Sequence, residues 1–191
     1  MDPMLAPNDK AMFYRYLDTI QTYFEYGSGG STSQASLRNN IKQIYSVESD
    51  IEWHNKLKGS KKNEKVHFIY SNMNTVPNTF GTPGPGCTLE QKKEYSGQIL
   101  RLDPAQQAAI DLILIDGRFR VACCLKCFAV IKDTCLIAFD DFLNRPQYHT
   151  VLEYYDVVEK TRDNRMVILK KKAGRDSVDP ALIERYENDL D

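Results

Sequence analysis

Apolar residues along the chain fall into short continuous runs separated by longer stretches with three- and four-residue spacing. Thr22-Tyr-Phe-Glu-Tyr26, Ile44-Tyr-Ser-Val-Glu48, Val66-His-Phe-Ile-Tyr70, Leu112-Ile-Leu-Ile115 and Cys135-Leu-Ile-Ala-Phe139 have strand length and strand composition. Helical patterns surround them over Pro7 to Ile20, Thr32 to Asn39, Asp50 to Lys58, Glu90 to Arg101 and Arg120 to Ile131. Strands alternating with helices predict βαβ units and a parallel sheet. The Leu112 and Cys135 runs are almost wholly apolar, as central strands covered on both faces must be. Beyond Arg145, Glu153 to Lys160 and Met166 to Lys170 flank Arg162-Asp-Asn164 and predict a closing β-hairpin. The expected architecture is an α/β domain, a doubly wound and mostly parallel seven-stranded sheet ending in an antiparallel hairpin. It spans residues 1–172, and the charged segment 173–191 forms a helix or tail of the same domain.

The segment Ser71 to Thr88 interrupts this alternation. It holds Pro77, Pro83, Pro85, Gly81, Gly84 and Gly86, and is too long and too rich in breakers for a plain connection. It leaves the carboxyl end of the third strand, where ligands bind in open α/β sheets. It reads either as a cover over a substrate or as a surface loop without ligand contact.

Composition narrows the picture. The chain has 191 residues, 25 Lys and Arg against 26 Asp and Glu, and a net charge of −1. A dedicated nucleic-acid binder shows a basic excess, so no nucleic-acid partner is expected. No apolar stretch is long enough to span a bilayer, and residues Met1 to Lys10 lack the basic start and apolar run of a signal peptide. The expectation is a cytoplasmic protein with no membrane partner, monomeric or homodimeric. Five cysteines, three of them Cys123, Cys124 and Cys127, do not suit a disulfide framework. The Cys124–Cys127 spacing is formally CxxC, but no second ligand pair follows at zinc spacing. Buried thiols on an apolar helix are the expectation.

The strongest chemical signal is Glu25-Tyr-Gly-Ser-Gly-Gly-Ser31, directly after the first strand and opening a helix. Glycine permits a tight turn and close approach of a ligand. Glu48, which ends the second strand, lies 21 residues beyond Gly27. An acid at about that distance hydrogen-bonds ribose hydroxyls. Together they predict an adenosine-type cofactor. A dinucleotide fingerprint wants a third glycine or alanine where Thr32 stands, and a Walker loop wants a lysine that is absent. An acid at Glu25 repels a pyrophosphate and suits a cationic ligand, which favours S-adenosylmethionine over a nicotinamide cofactor.

These residues, with Ser46-Val-Glu-Ser-Asp50 and Trp53, resemble class I S-adenosylmethionine-dependent methyltransferases, a Rossmann-like family. The strand-four sequence Asp-Gly-Arg-Phe-Arg, residues 116–120, and Arg145-Pro-Gln-Tyr148 resemble a subgroup some of whose members act on sugars or glycans. The resemblance covers Leu5 to Lys170. It implies that Tyr26, Gly27, Ser28, Gly29 and Gly30 line the methionine part of the cofactor, with Glu25 beside them. It implies that Ser31 caps the helix or meets the methionine carboxylate, and that Glu48 binds the ribose. Ser49 and Trp53 then lie near the adenine, with packing as the alternative for Trp53.

A second constellation gathers Asp116, Arg118, Arg120, Asp140 and Asp141 at the carboxyl ends of two adjacent strands. Crowded carboxylates need a cation, a proton or an arginine. One reading is Mg²⁺ or Mn²⁺ held by Asp116, Asp140 and Asp141, a layout similar to catechol-type O-methyltransferases. The other is metal-free, with Arg118 and Arg120 neutralising the acids and one Asp as general base. Asp140 and Asp141 also suit a turn or cap after the strand. Asp116 and Asp141 are the first candidates for activating an acceptor, with Arg118 and Tyr148 orienting it; Asp116 also borders the cofactor. His149 is placed either to reach the substrate or simply at a helix start, His67 in strand three as a structural residue, and His54 on a helix surface. The expected activity is O-methylation of a small molecule or sugar. A non-catalytic cofactor-binding module and, less favoured, an NAD-linked oxidoreductase are the alternatives.

Overall fold

The computed structural model describes residues 1–60, 63–161 and 165–189. Seven strands, β1 (Thr22–Tyr26), β2 (Gln43–Glu48), β3 (Val66–Tyr70), β4 (Leu112–Ile115), β5 (Leu136–Phe139), β6 (Tyr155–Lys160) and β7 (Val167–Lys171), form one sheet in the order β3-β2-β1-β4-β5-β7-β6. The first five strands pair in parallel, and β7 lies antiparallel between β5 and β6. This is the expected Rossmann-like sheet. The predicted turn Arg162-Asp-Asn164 lies outside the described residues.

Chain direction along the sheet reverses at β1, which sits between β2 and β4. That is the topological switch point, so a crevice opens at the carboxyl ends of β1 and β4. Side chains alternate across the sheet. Tyr23, Leu112, Leu114, Ala138 and Ile168 face α1 (Pro7–Leu17) and α2 (Gly30–Ser36) in one core. Phe24, Tyr26, Ile113, Ile115, Ile137 and Phe139 face the other core, which contains α6 (Arg120–Cys127). The remaining helices are α3 (Ile51–Ser60), α4 (Leu89–Ser96), α5 (Pro104–Ala109) and α7 (Pro180–Glu187).

Several boundaries differ from the sequence reading. The single helix expected over Glu90 to Arg101 stops at Gly97 and resumes as a 3-10 turn, Gln98–Arg101. The short α5 follows, started by Pro104 and by Asp103, whose carboxylate accepts from Gln106 N at 2.8 Å. The apolar pattern through Ile131 does not remain helical, because the N–H groups of Val130 and Ile131 both turn back onto the Cys127 carbonyl. Pro146–Glu153 forms a 3-10 helix before the hairpin.

His54 corrects another expectation. It is on α3, but turned inward and buried against the rings of Phe68 and Tyr70. His67 instead lies exposed on β3, stacked on Tyr45. Cys123, Cys124, Cys127 and Cys135 are fully buried, so the CxxC spacing is core packing on α6. No helix among the described residues is long and apolar enough to cross a membrane.

Candidate functional site

The glycine loop leaves β1 through Gly27, whose φ of 95° is left-handed. A Cβ there would sit 3.0 Å from the Asp116 carbonyl oxygen, so the turns after β1 and β4 touch backbone to backbone. A Cβ on Gly29 would meet nothing within 4 Å, whereas one on Gly30 would run into the Asp2–Pro3 backbone, so the open space lies over Gly29.

Glu25 is not on that open side. It is wholly buried beneath the loop, where its carboxylate accepts from Tyr23 Oη (2.9 Å), Ser31 Oγ (2.6 Å), Ser46 Oγ (2.6 Å) and Thr32 Oγ1. Burial pushes its pKa up, against the four hydroxyls that favour the charge. The carboxylate is thus an internal tie, not a surface for a cationic ligand. Ser31 is committed to Glu25, which corrects its expected capping or ligand role. Thr32 accepts from Gly29 N at 2.9 Å and closes the loop instead. The Tyr26 side chain also points away, into the core, and donates to the Ser96 carbonyl at 2.7 Å. Only its backbone borders the loop.

Glu48 ends β2 at the rim. Its Oε1 accepts from Ser49 N (2.7 Å) and Asp50 N (2.8 Å), and its Oε2 accepts from Ser28 N (3.2 Å). Burial raises its pKa to about 7 despite those three donors. Ser28 Oγ meets Ser46 Oγ at 2.6 Å, linking the loop to the Glu25 network. Trp53 donates from Nε1 to the Ser28 carbonyl at 2.8 Å, so α3 is pinned to the glycine loop through its indole. The structure therefore brings Gly27, Ser28, Gly29, Glu48, Ser49 and Trp53 to one edge of the crevice, while Gly30 lies under the Asp2–Pro3 backbone.

The acids do converge beside it. Arg120 enters their midst from the first turn of α6, with Asp116 at 3.1 Å, Asp140 at 3.7 Å and Asp141 at 3.4 Å. Asp141 also pairs with Arg145 at 3.1 Å and Arg165 at 3.0 Å. The cation among the carboxylates is a guanidinium. Among the described residues no group of three or more His, Cys, Asp or Glu is disposed to hold a metal ion. The donor set does not fit Mg²⁺ or Mn²⁺, which corrects the metal assignment of Asp116, Asp140 and Asp141. Asp116 keeps 32% of its side chain exposed. Its pKa rises to about 7 through burial and the neighbouring Asp140 and Asp141, with Arg120 opposing.

Tyr148 and His149 are both engaged by protein groups next to the acids. Tyr148 is fully buried against Phe139, and Arg145 donates to its hydroxyl at 2.7 Å. His149 Nε2 lies 3.0 Å from the Phe142 carbonyl and its ring packs on Phe142. Tyr148 thus stands beside Arg120 and Arg145 at the rim, and His149 beside Phe142. Arg118 bears on the loop after β3: it donates to the Thr79 carbonyl at 3.0 Å and to Thr82 Oγ1 at 2.9 Å. At the loop tip, a Cβ on Gly81 (φ 77°) would come within 2.7 Å of Ser49 Oγ. Segment 71–88 thus lies across the crevice, touching both the Glu48 side and the Asp116 side. Among the described residues five non-glycine positions have left-handed backbone: Asn74 (φ 47°), Asn78 (φ 60°) and Phe80 (φ 53°) in segment 71–88, Phe119 (φ 51°) after β4 and Asp141 (φ 59°) after β5. Such strain concentrates where function fixes the backbone.

Sequence reasoning missed Arg165, Tyr95, Ser46 and the lid partners Thr79 and Thr82. Ser46 was available from register, since it pairs with Glu25 across β1 and β2. Tyr95 Oη accepts from Arg118 N at 3.3 Å, a long-range contact with no local signal.

No family model matches the sequence, and no curated protein matches it. Solved structures do. A methyltransferase-like protein from Silicibacter pomeroyi superposes with a TM-score of 0.82 at 22% identity, covering 97% of this chain and 96% of the other. The fold is that of the Rossmann-like methyltransferases. A protein from Staphylococcus aureus described as a candidate caffeoyl-CoA O-methyltransferase matches at TM-score 0.55 and 16% identity, over 90% of this chain and 86% of its own. A ribosomal protein L11 methylase from Lactobacillus delbrueckii subsp. bulgaricus matches at TM-score 0.52 and 11% identity, over 86% and 77% respectively. Likeness at these identities concerns the fold.

Proposed function

We propose that this chain is an S-adenosylmethionine-dependent O-methyltransferase acting on a hydroxyl of a small molecule, and that Asp116 is its general base. The observation that carries this is the backbone contact between Gly27 and Asp116. It sets an acid with a pKa near neutrality directly beside a glycine turn that is open at Gly29. The residues present fit the cofactor: open space over Gly29, a carboxylate at Glu48 for ribose hydroxyls, and the Trp53 side chain alongside.

When bound, S-adenosylmethionine supplies a methyl group whose bond to sulfur is exchanged for one to the acceptor oxygen. The chain's own task is alignment, water exclusion and proton removal. Asp116 takes the hydroxyl proton on its carboxylate. Arg120 fixes that carboxylate's orientation, and segment 71–88 covers the crevice. No step passes through a metal. A sugar or glycan acceptor, with no nucleic-acid partner and a monomeric or homodimeric cytoplasmic enzyme, completes the reading; the sugar rests on the resemblance of residues 116–120 and 145–148.

The test is calorimetric titration of wild type and Glu48→Ala with S-adenosylmethionine and S-adenosylhomocysteine, followed by an acceptor screen starting from deoxysugars. Micromolar binding weakened in the variant supports the reading. Absence of binding to wild type removes it. Binding without turnover on any hydroxyl acceptor favours a cofactor-binding module.

A further inference from the structure

The charges at the rim balance in number but are unevenly placed. Arg120, Arg145 and Arg165 face Asp116, Asp140 and Asp141, three guanidiniums against three carboxylates. Arg120 is buried and spent among the three carboxylates. Arg145 and Arg165 are different. Their side chains are 34% and 41% exposed, and both converge on Asp141, which Arg120 already contacts. Positive charge therefore gathers where the two partly exposed guanidiniums share Asp141, and negative charge at the Asp116 end of the network. Arg165 uses Nη1 alone on Asp141; among the described residues its Nη2 and Nε have no polar partner. Arg145 uses Nη1 on Tyr148 and Nη2 on Asp141, with Nε unengaged among those residues. All the cations here are arginines, whose planar fork matches the two oxygens of a carboxylate or phosphate. The left-handed backbone at Asp141 (φ 59°) fixes a residue whose carboxylate meets both guanidiniums.

We propose that the acceptor carries an oxyanion, a carboxylate or phosphate ester, near its reacting hydroxyl, and that Arg145 and Arg165 are the specificity-determining residues that bind it. This deepens the methyl-transfer reading and rests on it for the word acceptor; the anion site itself does not. Asp141 positions the two arginines, and Arg120 connects Asp141 to Asp116. The anion is therefore linked to the base through three ion pairs, at Asp141, Arg120 and Asp116.

The same guanidiniums have one other candidate ligand, the carboxylate of the cofactor's own methionine, and the experiment separates the two. Wild type, Arg145→Gln, Arg165→Gln and Arg165→Lys are titrated with inorganic phosphate and with malonate, each with and without S-adenosylhomocysteine. Sodium chloride at matched ionic strength controls for screening. Far-UV circular dichroism checks the fold of each variant, and Arg165→Lys retains the charge if a Gln variant does not fold. The expected result is saturable anion binding by wild type, weakened about tenfold or more by either Gln substitution and partly retained by Lys. S-adenosylhomocysteine affinity stays within a factor of about two. No saturable binding beyond the chloride control overturns the proposal, as do folded Gln variants that bind like wild type. A loss of S-adenosylhomocysteine affinity matching the anion loss overturns it in favour of the cofactor carboxylate. If wild type binds anions but no S-adenosylhomocysteine, the methyl-transfer reading fails while the anion site stands.

Discussion

Arg118 spans the crevice to Thr79, donating a hydrogen bond of 3.0 Å from the turn after β4 to the tip of the loop after β3. A second bond reaches Thr82 Oγ1, and the loop is internally stitched by Val76 N to Thr82 O at 2.9 Å and Gly84 N to Asn74 O at 3.0 Å. The tip is thus a preformed unit, and Arg118 joins it to the Asp116 side of the crevice. Its guanidinium has no carboxylate partner among the described residues, so neutral lid oxygens are what fix it.

Arg118→Ala should free the lid without disturbing the sheet. Hydrogen exchange at Val76 and Gly84 is expected to quicken by about tenfold, the worth of one charge-assisted hydrogen bond. KM for the acceptor should rise more than kcat falls. Unchanged exchange in the variant would show that the lid is held by something else.

Asp116→Asn removes the only proton acceptor assigned to chemistry and keeps the shape of the side chain. A loss of about 10² to 10⁴ in kcat is expected, typical of a missing general base, with S-adenosylhomocysteine affinity preserved. In wild type the rate should climb as pH rises through about 7 and level off above it, because the carboxyl must be ionised to act. A pH-independent rate across that range would assign the proton elsewhere.

How far the sequence discloses this arrangement depends on the range of the interactions. The β1, β3 and β4 boundaries are read correctly because runs such as Leu112-Ile-Leu-Ile115 fix both type and length. The convergence of Asp116 with Asp140 and Asp141 follows from parallel pairing of β4 and β5. Which way Glu25 faces does not follow from a motif. Strand alternation puts it with Tyr23 on the inner side, and the hydroxyls of Ser31, Thr32 and Ser46 make burial of an acid tolerable there. Arg165 joins the rim only because β7 returns beside β5, a topological fact with no local trace.

The raised carboxyls give opposite pH dependences for stability and for binding. Glu48 titrates at about 7 in the fold against an ordinary 4.5, and Asp116 at about 7 against 3.8. Between those limits the folded protein holds more protons than the unfolded chain, so stability of the unliganded protein falls as pH rises. Ribose hydroxyls donate to ionised Glu48, so cofactor affinity should rise over the same interval. Thermal unfolding and S-adenosylhomocysteine titration from pH 5 to about 8 test both slopes, and Glu48→Gln should flatten each. Parallel slopes would contradict the assignment of Glu48 to the ribose.

Glu25 provides the sharpest contrast between a ligand contact and an internal tie. Its carboxylate gathers hydroxyls from β1, β2 and both sides of the first turn of α2. Removing it leaves several buried donors without an acceptor, each costing about 1 to 3 kcal/mol when nothing replaces the bond. Glu25→Ala should therefore lower stability by about 3 kcal/mol or more and abolish cofactor binding by releasing the glycine loop. Glu25→Gln keeps the volume and one acceptor oxygen, and a hydroxyl can turn to accept from its amide. It should cost about 1 to 2 kcal/mol and alter S-adenosylhomocysteine affinity only a few-fold. A residue touching the sulfonium or amino group of the ligand would behave in reverse, with binding lost and the unfolding temperature of the unliganded protein unchanged. Measuring both quantities on the Gln variant decides between the two, because the buried network ties Glu25 to stability first and to the ligand only through the loop it holds.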